Sequence, residues 1–274
     1  MSHEFAQNMS KEFEMSMIWE LSYFLGLQVS QTTTGMFMSQ TKYLKDILKR
    51  YGMEDRAPMN TPMPTDCKLS KDDDSPPIDA THYKSIIGAL LYLTATRPNI
   101  MQAVGMVGRF QSSPKQSHLL AVKRILRYLK GTLNFGLRYP KSSTLTMTAY
   151  TDVDWVRSVD DRKSTSGNAF FLGDCLVSWL SKKQTSISLA TAKAEYIATA
   201  DCCTQILWKK EALKYVNIGS NQPINIYCDN TSVINLNKNP MMHSKTRHIP
   251  IKYHFLREQV AEQNIILESI LRSR

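Results

Sequence analysis

Apolar residues fall into three stretches of different pattern along the 274-residue chain. In the first, Tyr23, Phe24, Leu25, Leu27 and Val29 suit a strand over 21–29. Residues 32–35 supply a turn, and 36–38 begin a return strand. Tyr43, Leu44, Ile47, Leu48 and Tyr51 then recur at helical spacing, and Gly52 supplies a stop, which predicts a helix from Thr41. Residues 61–79 have no period. Pro62, Pro64, an acidic run at 72–74 and Pro76-Pro77 predict an exposed linker whose acids are solvated.

The second stretch is helical. Asp79 is placed to cap a segment carrying Tyr83, Ile86, Ile87, Leu90 and Leu91, and Pro98 sits in the first turn of the next, which runs to about Phe110. Ser113-Pro114 predicts the opening of the clearest helix, with Leu119, Leu120, Val122, Ile125, Leu126 and Leu129 apolar and Gly131 closing it. Lys123, Arg124, Arg127 and Lys130 fall on its other side, a face that suits a phosphate backbone or an ordinary solvated surface.

After Pro140 the pattern becomes strand, strand, strand, helix, strand, helix, helix, strand. The strands span 145–151, 167–172, 176–181, 224–228 and 265–268; the helices span 191–215, 232–236 and 250–263. Short loops between the first three strands imply an antiparallel meander, and strands arriving after helices imply parallel crossovers. The expected fold class is α/β: a mixed sheet, antiparallel meander plus parallel strands, with flanking helices, preceded by a mostly helical region.

Composition adds limits. The apolar fraction, 42%, supports a core. No run approaches the roughly 18 apolar residues of a membrane span, and residues 1–7 lack a signal-type segment. A soluble, intracellular protein with no membrane partner is expected. Five cysteines without a CxxC pair suit free thiols in a reducing compartment. A net charge of +10 attracts polyanions, nucleic acid first among them, although a solvated basic surface has the same composition.

Three acids occupy telling positions. Asp152 ends the first strand of the C-terminal stretch, Asp229 ends the fourth, and Glu195 lies near the start of the long helix. If those two strands are neighbours, both aspartates converge at the sheet edge and Glu195 can lean into the same spot. Clustered carboxylates repel unless cations neutralise them, which makes magnesium the natural occupant. Taken singly, a strand-end Asp is as well explained as a cap, and Asp229 precedes Asn230-Thr231-Ser232, where a helix begins.

These acids sit in blocks that resemble the ribonuclease H region of copia-type retrotransposon Pol polyproteins. The blocks are Tyr150-Thr151-Asp152-Val153-Asp154-Trp155, Asp161-Arg162-Lys163-Ser164-Thr165-Ser166-Gly167 and Ser178-Trp179-Leu180-Ser181-Lys182-Lys183-Gln184. Ala194-Glu195-Tyr196-Ile197-Ala198, Tyr227-Cys228-Asp229-Asn230 and His243-Ser244-Lys245-Thr246-Arg247-His248-Ile249 follow in the family's order. Upstream, Tyr23-Phe24-Leu25-Gly26-Leu27 is similar to the stretch after the polymerase centre, and Lys123-Arg124-Ile125-Leu126-Arg127-Tyr128-Leu129-Lys130-Gly131-Thr132 to the connecting region.

The resemblance implies a ribonuclease H-like domain over 143–274, a linker and helical connection over 65–142, and partial reverse transcriptase thumb over 1–64. It implies magnesium at a two-ion site, or manganese, with Asp152, Glu195 and Asp229 as catalytic metal ligands and Asp154 as the rival to Asp152. The implied reaction is hydrolysis of RNA in an RNA–DNA hybrid. Phosphate contacts are assigned to Lys182, Lys183, Asn230, Lys245, Arg247, Lys252 and Arg257. The spacing of His243, His248 and His254 does not suit zinc.

The family's paired polymerase aspartates would lie before Met1, and its fourth acid after Arg274, with Glu258 and Glu268 as substitutes. The expectation is therefore a nuclease of reduced activity without polymerisation, or a nucleic-acid-binding remnant. The remaining parts of the Pol polyprotein are its expected partners. The implied setting is the cytoplasm and virus-like particle with a nuclear phase.

Overall fold

The computed structural model describes residues 10–11, 14, 21–141, 145–156, 158–215, 222–238 and 255–270. Strands β1 (Tyr23–Phe24), β2 (Leu27–Thr32), β3 (Gly35–Ser39) and β4 (Leu137–Pro140) form one antiparallel sheet in that order. The run over 21–29 is thus two strands, not one. Leu25 and Gly26 both have positive φ, 47° and 78°, and make a two-residue turn that folds β1 back on β2. A side chain at Gly26 would collide with the Tyr92 hydroxyl, which donates to the Leu25 carbonyl.

Helices α1 (Thr41–Arg50), α2 (Ala80–Leu93), α3 (Met101–Val107) and α4 (Gln116–Gly131) pack around a first core that includes Ile47, Ile87, Leu90, Val104, Ile125 and Leu129. Single 3₁₀ turns at Pro98–Ile100 and Gly108–Phe110 extend α3 at both ends. Asp79 caps α2 by accepting from the Thr81 and His82 amides.

Segment 61–79 forms no helix or strand, and Asp72 and Asp74 are exposed as expected, yet the segment is docked through Asp73 and its backbone. The Asp73 carboxylate accepts from the hydroxyls of Ser75 and Ser117, and the Lys115 ammonium donates to the Asp73 carbonyl. The Ile78 amide donates to Pro114 O at 3.1 Å and the Gln116 amide to Pro76 O at 2.9 Å. This tie holds 113–115 outside the helix, so α4 starts at Gln116 and not at Ser113-Pro114. There His118 Nδ1 accepts from the Lys115 amide. The basic side of α4 is also occupied: Arg124 donates to Thr61, Arg127 to Ala57 O and Lys130 to Arg56 O, clamping 56–61.

The second sheet has five strands: β5 (Met147–Asp154), β6 (Thr165–Leu172), β7 (Cys175–Lys183), β8 (Ile224–Cys228) and β9 (Ile265–Ser269). Their order is β7-β6-β5-β8-β9. The first three form the antiparallel meander; β8 joins β5, and β9 joins β8, in parallel. Helices α5 (Thr191–Tyr215), α6 (Thr231–Lys238) and α7 (Phe255–Ala261) contact this sheet. The start expected for α7 at 250 lies outside the described residues.

Alternation on β5 puts Ala149 and Thr151 inward and Tyr150 and Asp152 outward. Phe170, Tyr196, Ile197, Ala200, Ile226 and Leu267 fill a second core. Asp152 does not end β5. Pairing with β6 runs on to Asp154 opposite Thr165, two residues further than the apolar pattern shows. No helix of the described residues is long and apolar enough to cross a membrane.

Candidate metal centre

Parallel pairing sets the site. Ala149 pairs with Ile226 and Tyr150 with Tyr227, so Asp152 and Asp229, each two residues on, stand side by side at the C-terminal edge of the central strands. Asp229 is the first residue beyond β8. The chain then turns into α6, whose amides at Ser232 and Val233 are accepted by Asn230 Oδ1 at 3.0 and 3.3 Å. The cap is therefore supplied by Asn230.

Glu195 comes from the first turns of α5 and is 5% exposed. Gln184 fixes that end of the helix: its Nε2 donates to Ala194 O at 2.8 Å and to Ser166 Oγ at 3.0 Å. One carboxylate oxygen from each of Asp152, Glu195 and Asp229 lies within 4.8 Å of the others. Asp152 is exposed, Asp229 half-buried and Glu195 buried.

Three like charges so close repel, and a cation removes the repulsion. The donor set is all carboxylate oxygen, which suits a hard divalent ion of the magnesium or manganese kind. The neighbouring thiol does not alter that choice. Burial pushes Cys228 up to about 11, a backbone hydrogen bond at Asn230 opposes this, and the charges of Glu195 and Asp229 add to it, so the sulfur stays protonated.

Asp154 accepts from Gln102 Nε2 at 2.9 Å and does not join the trio. Neither do Glu258 and Glu268. Lys182 is exposed at the end of β7. Lys183 pairs with Asp161 at 2.6 Å. Desolvation opposes ionisation of Asp161, but bonds from Lys183 and Ser158 prevail and hold it at about 2. The Arg257 guanidinium lies over the Tyr196 ring at 5.9 Å. Lys245, Arg247, Lys252 and the three histidines at 243, 248 and 254 lie outside the described residues. Gln102 gave no signal in the sequence, because its partner Asp154 lies 52 residues away, and the block that contains Gln184 did not show that it holds the start of α5.

The family model for reverse transcriptase (RNA-dependent DNA polymerase) matches residues 1–65. The chain is 40% identical over 258 residues to the retrovirus-related Pol polyprotein from transposon RE1 of Arabidopsis thaliana, covering 94% of this chain and 18% of that one. It is 39% identical over 200 residues to an uncharacterized mitochondrial protein of the same plant, covering 73% of this chain and 83% of that one. The chain thus spans about a fifth of the length of the polyprotein it matches. Among solved structures, LC11-RNase H1 isolated from compost is 12% identical with a TM-score of 0.34, covering 47% of this chain and 86% of that one.

Proposed function

The chain belongs to the retrovirus-related Pol polyproteins of transposons, and we propose that it carries the ribonuclease H-type activity of a copia-type element. Its C-terminal mixed sheet with flanking helices is ribonuclease H-like. The reaction is hydrolysis of RNA in an RNA–DNA hybrid, and the convergence of Asp152, Glu195 and Asp229 is the observation that carries it. These three would hold magnesium, which supplies charge neutralisation for a phosphodiester displacement.

The residues themselves divide the work. Buried Glu195 anchors the cluster on α5, and the edge aspartates present theirs to solvent, where a phosphate can approach. Lys182, Lys183 and Arg257 described here, with Lys245, Arg247 and Lys252, supply positive charge for the flanking phosphates. Residues 143–274 form the nuclease part, 65–142 the connection and 1–64 the end of a reverse transcriptase part.

The test is direct. Purified chain with magnesium and a labelled hybrid cuts the RNA strand, and Asp152→Asn lowers the rate by about 10²–10³, as loss of one charge-stabilising contact does. Hybrid binding without any cutting, indifferent to that substitution, would leave a binding protein in its place.

A further inference from the structure

Arg109 stands in the 3₁₀ turn after α3, between Val107 of the first core and Phe110, which is buried and stacked on His118. Packing on both sides fixes its backbone. The side chain reaches from the helical part to the second sheet, where Nη2 donates to Thr165 Oγ1 at 2.8 Å. The rest of the guanidinium fork has no partner among the described residues. None of its nitrogens belongs to the buried unpaired atoms, so the open donors meet solvent. They do so in a polar cleft of about 360 Å³ between segment 69–72, the 3₁₀ turn, loop 158–161 and the end of β7.

The cleft leaves this charge under-compensated. Burial lowers the pKa of Arg109, and the charges of Asp161 and Asp154 raise it only in part. Both acids have other partners: Asp161 pairs with Lys183 at 2.6 Å, and Asp154 accepts from Gln102 at 2.9 Å. Asp160 accepts from the Ser70 hydroxyl and the Lys71 amide. Asp72, on the same wall, is exposed and screened by solvent. The Lys71 ammonium also borders the cleft and makes no ion pair among the described residues. A half-buried guanidinium is ordinarily paired, and its planar fork matches phosphate.

We propose that this cleft seats a backbone phosphate of a nucleic-acid strand, held by Arg109 with Lys71 as the second cation. Thr165 pairs with Asp154 across β6 and β5, and Asp152 lies two residues along β5 on the same face. Strand rise and spacing put Arg109 roughly 10 Å from the carboxylate cluster. Phosphates of one strand recur about every 3.4 Å of helix axis, so the seated phosphate is about three nucleotides from the one at the carboxylates. The helical part thereby sets where a strand lies on the metal centre. The inference rests on the nucleic-acid reading of the chain but not on cleavage.

The experiment measures binding of a labelled RNA–DNA hybrid to the full chain in EDTA over a series of salt concentrations. Arg109→Gln weakens binding about tenfold at 0.1 M salt and lowers the slope of log affinity against log salt by about one. Arg109→Lys keeps the slope because the charge stays. Lys71→Gln, at an exposed position, lowers the slope too. Lys68→Gln, an equal loss of charge on the same segment away from the cleft, leaves it unchanged.

Equal slopes in wild type and Arg109→Gln overturn the inference and leave the nuclease reading standing. So does a slope lowered as much by Lys68→Gln, which means general attraction, or by Arg109→Lys, which means packing. Inorganic phosphate is the second probe: if it raises the thermal midpoint through Arg109 while the hybrid slope ignores that residue, the cleft takes free phosphate and the strand is excluded. No hybrid binding by the wild type overturns both readings. A lowered slope in a chain that never cuts sinks the nuclease and keeps the cleft.

Discussion

Asp152, Glu195 and Asp229 are set at different depths, and that decides what each can report. Asp152 is exposed and can be changed without disturbing the fold, whereas Glu195 is packed under α5. A divalent ion that binds only the folded cluster stabilises it by mass action, by about 2.7 kcal/mol at a hundredfold excess over its dissociation constant. Magnesium is therefore expected to raise the thermal midpoint, EDTA to reverse the rise, and Asp229→Asn to shrink it. A midpoint indifferent to magnesium would show that the trio holds no ion. The trio was legible because two apolar strands each run into an Asp, and neighbouring parallel strands bring such residues together. Which of two adjacent side chains caps α6 was not legible. Asp229 and Asn230 have similar capping propensity, and only the path of the chain after β8 gives the bond to Asn230. Asn230→Ala should cost about 1 kcal/mol in denaturant unfolding and, by loosening the turn that places Asp229, weaken magnesium binding as well.

Elements whose residues contact one another locally were read from the sequence with small errors at their ends. The periodic helices α1, α2 and α5 are examples. Segment 61–79 was not, because its partners are 42 residues away on α4 and its contacts are hydrogen bonds from irregular backbone, which leave no period. The same strap makes a pH prediction. The hydroxyls of Ser117 and Ser75 hold the Asp73 carboxyl at about 2, below its ordinary 3.8. A depressed folded-state value means stability that is fully present above 3.8 and lost as pH falls towards 2. The wild-type midpoint should drop more steeply over that window than the midpoint of Asp73→Asn, which has no carboxyl to titrate. Parallel curves for the two proteins would remove Asp73 from any role in docking the strap. The error over 21–29 has a different origin: Leu25 continues an apolar run while its backbone is left-handed, and the only clue is the glycine after it.

At the scale of the molecule there are two cores, one around α2 and α4 and one between the second sheet and α5. Contacts between the parts that carry them include polar ones: Arg109 Nη2 donates to Thr165 Oγ1 at 2.8 Å, the Trp179 indole to Thr94 O at 3.1 Å, and Gln102 to Asp154 at 2.9 Å. Ser70 and the Lys71 amide share Asp160. Such bonds contribute about 1 kcal/mol each, so the coupling they give is smaller than the 5–15 kcal/mol stability of an ordinary domain. Removing two of them should uncouple the parts without unfolding either. Three of the four tryptophans, Trp155, Trp179 and Trp208, belong to the C-terminal part, so fluorescence follows that part while far-ultraviolet dichroism follows both. In the double variant Arg109→Ala with Trp179→Phe, the fluorescence and dichroism midpoints in urea should separate, the indole-to-carbonyl bond being lost while the aromatic ring is kept. Coincident curves in that variant would mean that the remaining contacts between the parts suffice, and that the helical part and the C-terminal part unfold as one.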